Sequence, residues 1–289
     1  MRIPRFWAVV EGTGTGRAGE RLFRRVWGWS MSSMAEAASV AQERLQAALA
    51  DLRSGNRLGG YYPRVPLREP ILDEVTADGE QILVVTRNRY GAEVLNTDRL
   101  LIADVDLPEL DGPTVKGVLR RLFGRSTAVG DPTAEPAPVV ERVAALANWA
   151  GANPGLGVIV YRTASGLRVF VTGVSEPATS ADGQRILAEL GTDPIYRELC
   201  RTHGTFRARL TPKPWRLPRL KAPRERWPFA DGDAESRFQR WLAAYEAAAR
   251  DYAVCRRLAT HGPAPSTSES QIIQLHDDRT RVSTPLRLA

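Results

Sequence analysis

The sequence predicts an α+β protein: an antiparallel-rich sheet core flanked by helices, with a small ββα unit in front and a long helix behind. Three observations predict it. Short Val/Ile/Leu-rich runs recur in pairs around turn residues, at 81–86 with 92–95 and at 157–162 with 167–172, the pattern of hairpins. Stretches of helical period at 36–53, 139–150 and 181–190 flank these pairs instead of alternating with every strand. The chain has 289 residues, 43% of them hydrophobic, which suits one large core with smaller additions.

The N-terminal unit spans about residues 1–60. Phe6 to Glu11 is strand-like, glycines 12, 14, 16 and 19 mark a turn, and Leu22 to Trp29 forms a second strand. Ser33-Met-Ala-Glu36 is a capping-box signature, opening a helix to about Arg53 with Ala37, Val40, Ala41, Leu45 and Leu49 on its apolar stripe. A Gly/Pro-rich connector, Gly55 to Pro70, leads into the core at 61–230. There, strands at 81–86 and 92–95 precede the most strand-like segment, Arg99 to Leu107, which Pro108 ends. Helices are expected at Val115–Phe123 and Val139–Ala150, with a loop from Arg125 to Pro138. Beyond the 157–172 hairpin come helices at about Ala181–Leu190 and Pro194–Cys200, then an Arg/Pro/Trp-rich stretch from Arg207 to Pro228. The C-terminal region 231–262 reads as one long helix from Ala234 to Leu258, with Phe238, Trp241, Leu242, Tyr245 and Tyr252 on its apolar side. The Ser/Thr-rich tail, 263–289, is expected to be disordered, or to dock Ile272, Ile273 and Leu275 as a strand.

Composition narrows the classes. No apolar run reaches the ~18 residues of a membrane span, and Met1 to Trp7 lacks a signal peptide's layout, so the expected location is the cytoplasm. Two cysteines, Cys200 and Cys255, exclude a disulfide scaffold or zinc ribbon and read as small buried apolar residues. The formal charge is +7, and only three of the 40 basic residues are lysines (Lys116, Lys213, Lys221). A GC-rich coding sequence would favour this arginine excess, yet the guanidiniums still suit bidentate contact with phosphate. Phosphate-loop, GxSxG and Rossmann signatures are lacking, and no His/Cys cluster has zinc spacing.

Three segments carry chemistry. In Ile102-Ala-Asp-Val-Asp-Leu107 the strand alternation projects Asp104 and Asp106 from one face. Paired carboxylates repel unless a cation lies between them, a place that Mg²⁺ or Mn²⁺ would fill while gripping phosphate. The alternative is a strand end with two solvated aspartates. In Tyr161 to Thr172, the Ser165-Gly166 turn offers backbone N–H groups to an anionic oxygen, and Arg162 and Arg168 offer guanidiniums; a plain hairpin with exposed arginines is the alternative. In Thr205 to Arg216, Arg207 and Arg209 alternate on an extended run, followed by Lys213 and Arg216 and interleaved with Phe206 and Trp215. That suits phosphate plus a stacked base. A solvated basic loop braced by Trp215 is its alternative.

Taken in order, these pieces resemble the archaeo-eukaryotic primase superfamily over about residues 80–220. The resemblance implies an RRM-like core with a DxD or DxE pair on one strand and a later Ser-Gly turn leading to a nucleotide-binding histidine. A third acid and a basic element ending in lysine follow. Asp104 and Asp106 match the pair, Ser165 and Gly166 the turn, and Arg207 to Lys213 the basic element. Arg168 stands near the place of the histidine, no acid follows it before Glu176, and His203, His261 and His276 lie elsewhere. The implied protein binds nucleotide or nucleic acid beside Mg²⁺ or Mn²⁺ at Asp104 and Asp106. Nucleotidyl or phosphoryl transfer is its reaction class if it is an enzyme. The other expectations are a basic nucleic-acid-binding module without catalysis and a partner-binding protein of a replication, plasmid or defence assembly.

Overall fold

The computed structural model describes residues 1, 3–54, 66–107 and 135–289. The helix expected at 115–123 and most of the loop after it lie outside the described residues. The protein is α+β with several antiparallel sheets. Strands β1 (Phe6–Thr15) and β2 (Arg21–Ser30) form a hairpin, and α1 (Met34–Ser54) lies across it. Ala37, Ala41 and Leu45 of that helix are buried against it. Gly28 makes this crossing possible, because a Cβ there would strike the backbone at Ala37 and Ala41. Ser33 caps α1 through the Glu36 N–H, while the Glu36 carboxylate turns to Ser30 rather than back to the cap.

Two four-stranded antiparallel sheets carry the core. The first has the order β3 (Ile71–Ala77), β4 (Glu80–Arg87), β5 (Glu93–Thr97), β9 (Phe206–Arg209). The second has the order β11 (Cys255–His261), β7 (Gly157–Thr163), β8 (Gly166–Thr172), β6 (Leu101–Asp106). Leu83, Leu101, Ile102, Val160, Phe170 and Leu187 belong to one continuous apolar cluster between strands and helices. The helices are α2 (Ala137–Ala152), α3 (Ala181–Glu189), α4 (Pro194–His203), α5 (Gly232–Ala249) and α6 (Thr267–Thr280). Two-residue strands β10 (Tyr252–Ala253) and β12 (Arg287–Leu288) pair in parallel near the C-terminus. The N-terminal unit attaches through Ile3, which packs with Leu67 and Val84, and through an Arg5–Glu74 ion pair of 2.6 Å.

The C-terminal third differs from expectation. The helix expected from Ala234 to Leu258 stops at Ala249; Tyr252 leaves it for the short strand β10, and the chain turns into β11, an edge strand carrying Arg256 and Arg257 on its exposed positions. The expected tail is instead helix α6, opened by a complete Ser266/Glu269 capping box. Ile272 and Ile273 do dock on the core, but from this helix and not from a strand. No helix among the described residues is long and apolar enough to cross a membrane. Both cysteines are free and buried.

Candidate functional site

The register of β6 against β8 decides the site. It sets Asp104 opposite Arg168 and Asp106 opposite Gly166. The two strands can approach at that end because residue 166 has no side chain: a Cβ would collide with the Val105 carbonyl. Gly166 therefore serves close strand packing, while Ser165 beside it accepts a 2.8 Å hydrogen bond from Arg216.

Arg168 is completely buried. Its Nε donates to the Asp104 carboxylate at 3.0 Å, and its Nη1 donates to the Arg209 carbonyl at 2.8 Å. The same Nη1 lies 3.2 Å from His276 Nε2 and 3.6 Å from Cys255 Sγ, while Nη2 has no hydrogen-bond partner. Burial works against this charge, but the Asp104 carboxylate beside it, by its charge and its hydrogen bond, outweighs burial and holds Arg168 protonated above the ordinary arginine range. His276, wedged between Tyr161 and Phe170 and bonded to Asp277, is pushed down to about 4 by burial and stays neutral. Burial raises the Cys255 thiol to about 11, so this Cys-His-Asp grouping is inert packing behind Arg168 and not a nucleophile.

The first sheet, through its edge strand β9, reaches the site by way of Tyr196 of α4. Its hydroxyl lies 2.9 Å from the Ile102 carbonyl on β6 and 2.7 Å from the Arg207 carbonyl on β9, and it accepts from the Arg207 N–H. This hydroxyl stitches the two sheets together. Beyond β9 the chain is pinned by Thr211 Oγ1, which accepts from the Glu93 N–H and from the Tyr245 hydroxyl at 2.7 Å. That anchoring places Lys213 and Trp215 at the rim.

The result is a cavity of about 390 Å³ whose lining includes Asp104, Asp106, Ser165, Arg168, Arg209 and Lys213. Tyr90 and Trp215 add an aromatic wall, their rings edge to face at 5.3 Å, with Lys213 Nζ 5.8 Å from the indole. The cations strain against one another. Burial first, and the neighbouring Arg168 second, lower Arg209; burial, Arg209 and Arg216 lower Lys213. An anion in the cavity would relieve both.

Six of the nine residues singled out from sequence thus line one cavity; Gly166 is not a lining residue but lets β8 close on β6 beside it. The other two do not line it either. Arg162 turns toward Glu135 at 3.2 Å and the carbonyl of Gly166, bracing its own hairpin. Arg207 is held by both oxygens of Glu69, at 2.9 and 2.7 Å, on the far side of Tyr196. Tyr90, Tyr196 and Arg216 were not among the nine. Arg216 alone had a signal, its spacing after Lys213; the tyrosines reach the site by long-range packing. Among the described residues no group of three or more His, Cys, Asp or Glu is placed to hold a metal. No family model, curated protein or solved structure matches the chain.

Proposed function

We propose that the chain binds a phosphate-bearing nucleotide group in the cavity at β6, β8 and β9, as a divergent relative of the archaeo-eukaryotic primases. One observation carries this reading: two carboxylates on one strand face share a cavity with underpaired cations and an exposed aromatic wall. Arg209 and Lys213 take the phosphate oxygens by charge-assisted hydrogen bonds, and Trp215, half exposed, offers a stacking face.

The donor set suits one divalent cation. Magnesium is commonly held by one or two carboxylates together with substrate phosphate, and Asp106 and the oxygen of Asp104 not bonded to Arg168 offer that pattern. Mg²⁺ or Mn²⁺ bound there would neutralise phosphate charge, the chemistry of nucleotidyl or phosphoryl transfer. The protein's own residues do the rest: Arg168 orients Asp104, Arg216 orients Ser165, and the pinned 211–216 segment presents Lys213. A second reading, binding without chemistry, is favoured by Arg168, which already compensates Asp104 with a fixed guanidinium.

The test is nucleoside triphosphate binding by calorimetry with and without Mn²⁺, on wild type, Asp106→Ala and Lys213→Ala. Metal-dependent binding, weakened about tenfold or more by each substitution, is the expected result. Binding indifferent to metal but sensitive to Lys213 selects the second reading. Binding indifferent to both substitutions sinks the site.

A further inference from the structure

The cavity opens into a much larger groove of about 1500 Å³ between the N-terminal ββα unit, the 66–70 connector, the β4–β5 turn and helices α4 and α5. Asn88, Tyr90, Asp104, Ile195, Tyr196 and Arg209 line both spaces, so the groove leads into the site. We infer that this groove is a tract for a single-stranded polynucleotide, with the ββα unit as its outer wall and the Asp104/Asp106 cavity at its end. The inference rests on the proposed cavity for the strand's destination, but not for the tract itself.

Charge is the first argument. Arg24, Arg44, Arg68, Arg89, Arg209 and Arg226 all line the groove, and none makes an ion pair with a described carboxylate. Two of the groove's acids are already engaged: Glu69 with Arg207, itself a lining residue, and Glu225 with Arg237 at 2.7 Å. The Nε groups of Arg24, Arg44 and Arg209 are buried with no hydrogen-bond partner, donors left facing no acceptor. Partial burial, then the nearby Arg25 and Arg226, lower Arg68, so these three cations crowd one another as those in the small cavity do.

Aromatic interleaving is the second. Trp27 lies under the Arg68 guanidinium at 4.2 Å, with Arg25 at 5.8 Å, and Tyr90, Trp227 and Phe229 continue the lining. Alternating cations and flat rings match a flexible strand whose bases are unstacked and free to lie on them. A duplex keeps its bases inside, and an acidic peptide has no use for the rings.

The experiment is fluorescence anisotropy with labelled oligo-dT and oligo-U of about 12 nucleotides across a salt series. The proteins are wild type, Arg68→Ala/Arg226→Ala and Asp106→Ala. Both arginines are exposed, so the double variant keeps its fold, checked by circular dichroism. The expected outcome is at least tenfold weaker oligonucleotide binding by the double variant. Its log–log salt slope should be shallower by about 1.4, since each phosphate left without its arginine takes away roughly 0.7. Its Mn²⁺-dependent mononucleotide binding should stay as in wild type. Asp106→Ala should show the opposite pattern, so tract and cavity stand or fall separately. Oligonucleotide binding unchanged in the double variant, or matched by duplex or polyglutamate in competition, overturns the tract.

Discussion

Removing the Asp104 carboxylate should cost the fold far more than removing its neighbour two residues on. Arg168 is fully buried, and Asp104, 3.0 Å away, is its only ion-pair partner among the described residues. At an effective dielectric constant near 20, charges that close attract by about 5 kcal/mol. Asp104→Ala strands the guanidinium in the core, and such half-broken pairs lose roughly 3–5 kcal/mol. The side chain of Asp104 is 31% exposed. Arg168→Met therefore leaves a carboxylate that water still reaches, and the loss should be smaller, about 2 kcal/mol. Asp106 is exposed, where an ion pair or hydrogen bond is worth about 1 kcal/mol at most, so Asp106→Ala should cost about that or less. Urea denaturation and thermal melts of the three variants, with the Asp104→Leu/Arg168→Met double, give the test. A drop of roughly 6–12 °C in Tm is expected for Asp104→Ala, with the double variant more stable than that single one. Equal Tm values for Asp104→Ala and Asp106→Ala, or strictly additive losses in the double, would refute the buried-pair argument. The practical corollary is that loss of binding in an Asp104 variant says little about the site until its fold has been checked. Asp106 and Lys213 are the cleaner probes.

Two further outcomes follow from buried groups. His276 is neutral when folded, with its ordinary value near 6.5 depressed to about 4, so the unfolded chain binds the extra proton between those values. Stability is full above about pH 6.5 and falls by about 3 kcal/mol as pH drops to 4, a slope that urea titrations should show and His276→Gln should flatten. Glu269 caps α6 at Ser266 and accepts the Gly173 N–H at 2.7 Å, so Glu269→Ala should cost about 1–3 kcal/mol in the same assay.

The central strands were readable in the sequence because they are buried on both faces and written almost entirely in branched apolar residues, as in β4 and β7. β11 was not. Arg256 and Arg257 stand on its exposed positions, and helical spacing ran on from α5 with no glycine to stop it. The α6 helix carried the same Ser-x-x-Glu signature, at 266–269, that marks α1 at 33–36, but its Ser/Thr-rich surroundings read as tail. For the site, strand alternation was enough to pair Asp104 with Asp106. The role of Arg168 was beyond reach, since it follows from a register between strands 64 residues apart. Arg162 and Arg207 show the converse: both alternate as site residues would, yet Glu135 and Glu69 claim them.

The packing behind Arg168 also sets an order of assembly during synthesis. Asp104 and Arg168 can meet as soon as β8 has left the ribosome, yet Cys255 and His276 come 87 and 108 residues later. Before then the guanidinium has the Asp104 carboxylate and, once β9 is made, the Arg209 carbonyl, while its far side is still uncovered. With β11 and α6 in place, Cys255 and His276 close that side, and the β6 carboxylates are held from a rigid backing. A ribosome stalled before residue 255 would thus carry the acidic strand already paired while the wall that stiffens it is still unmade.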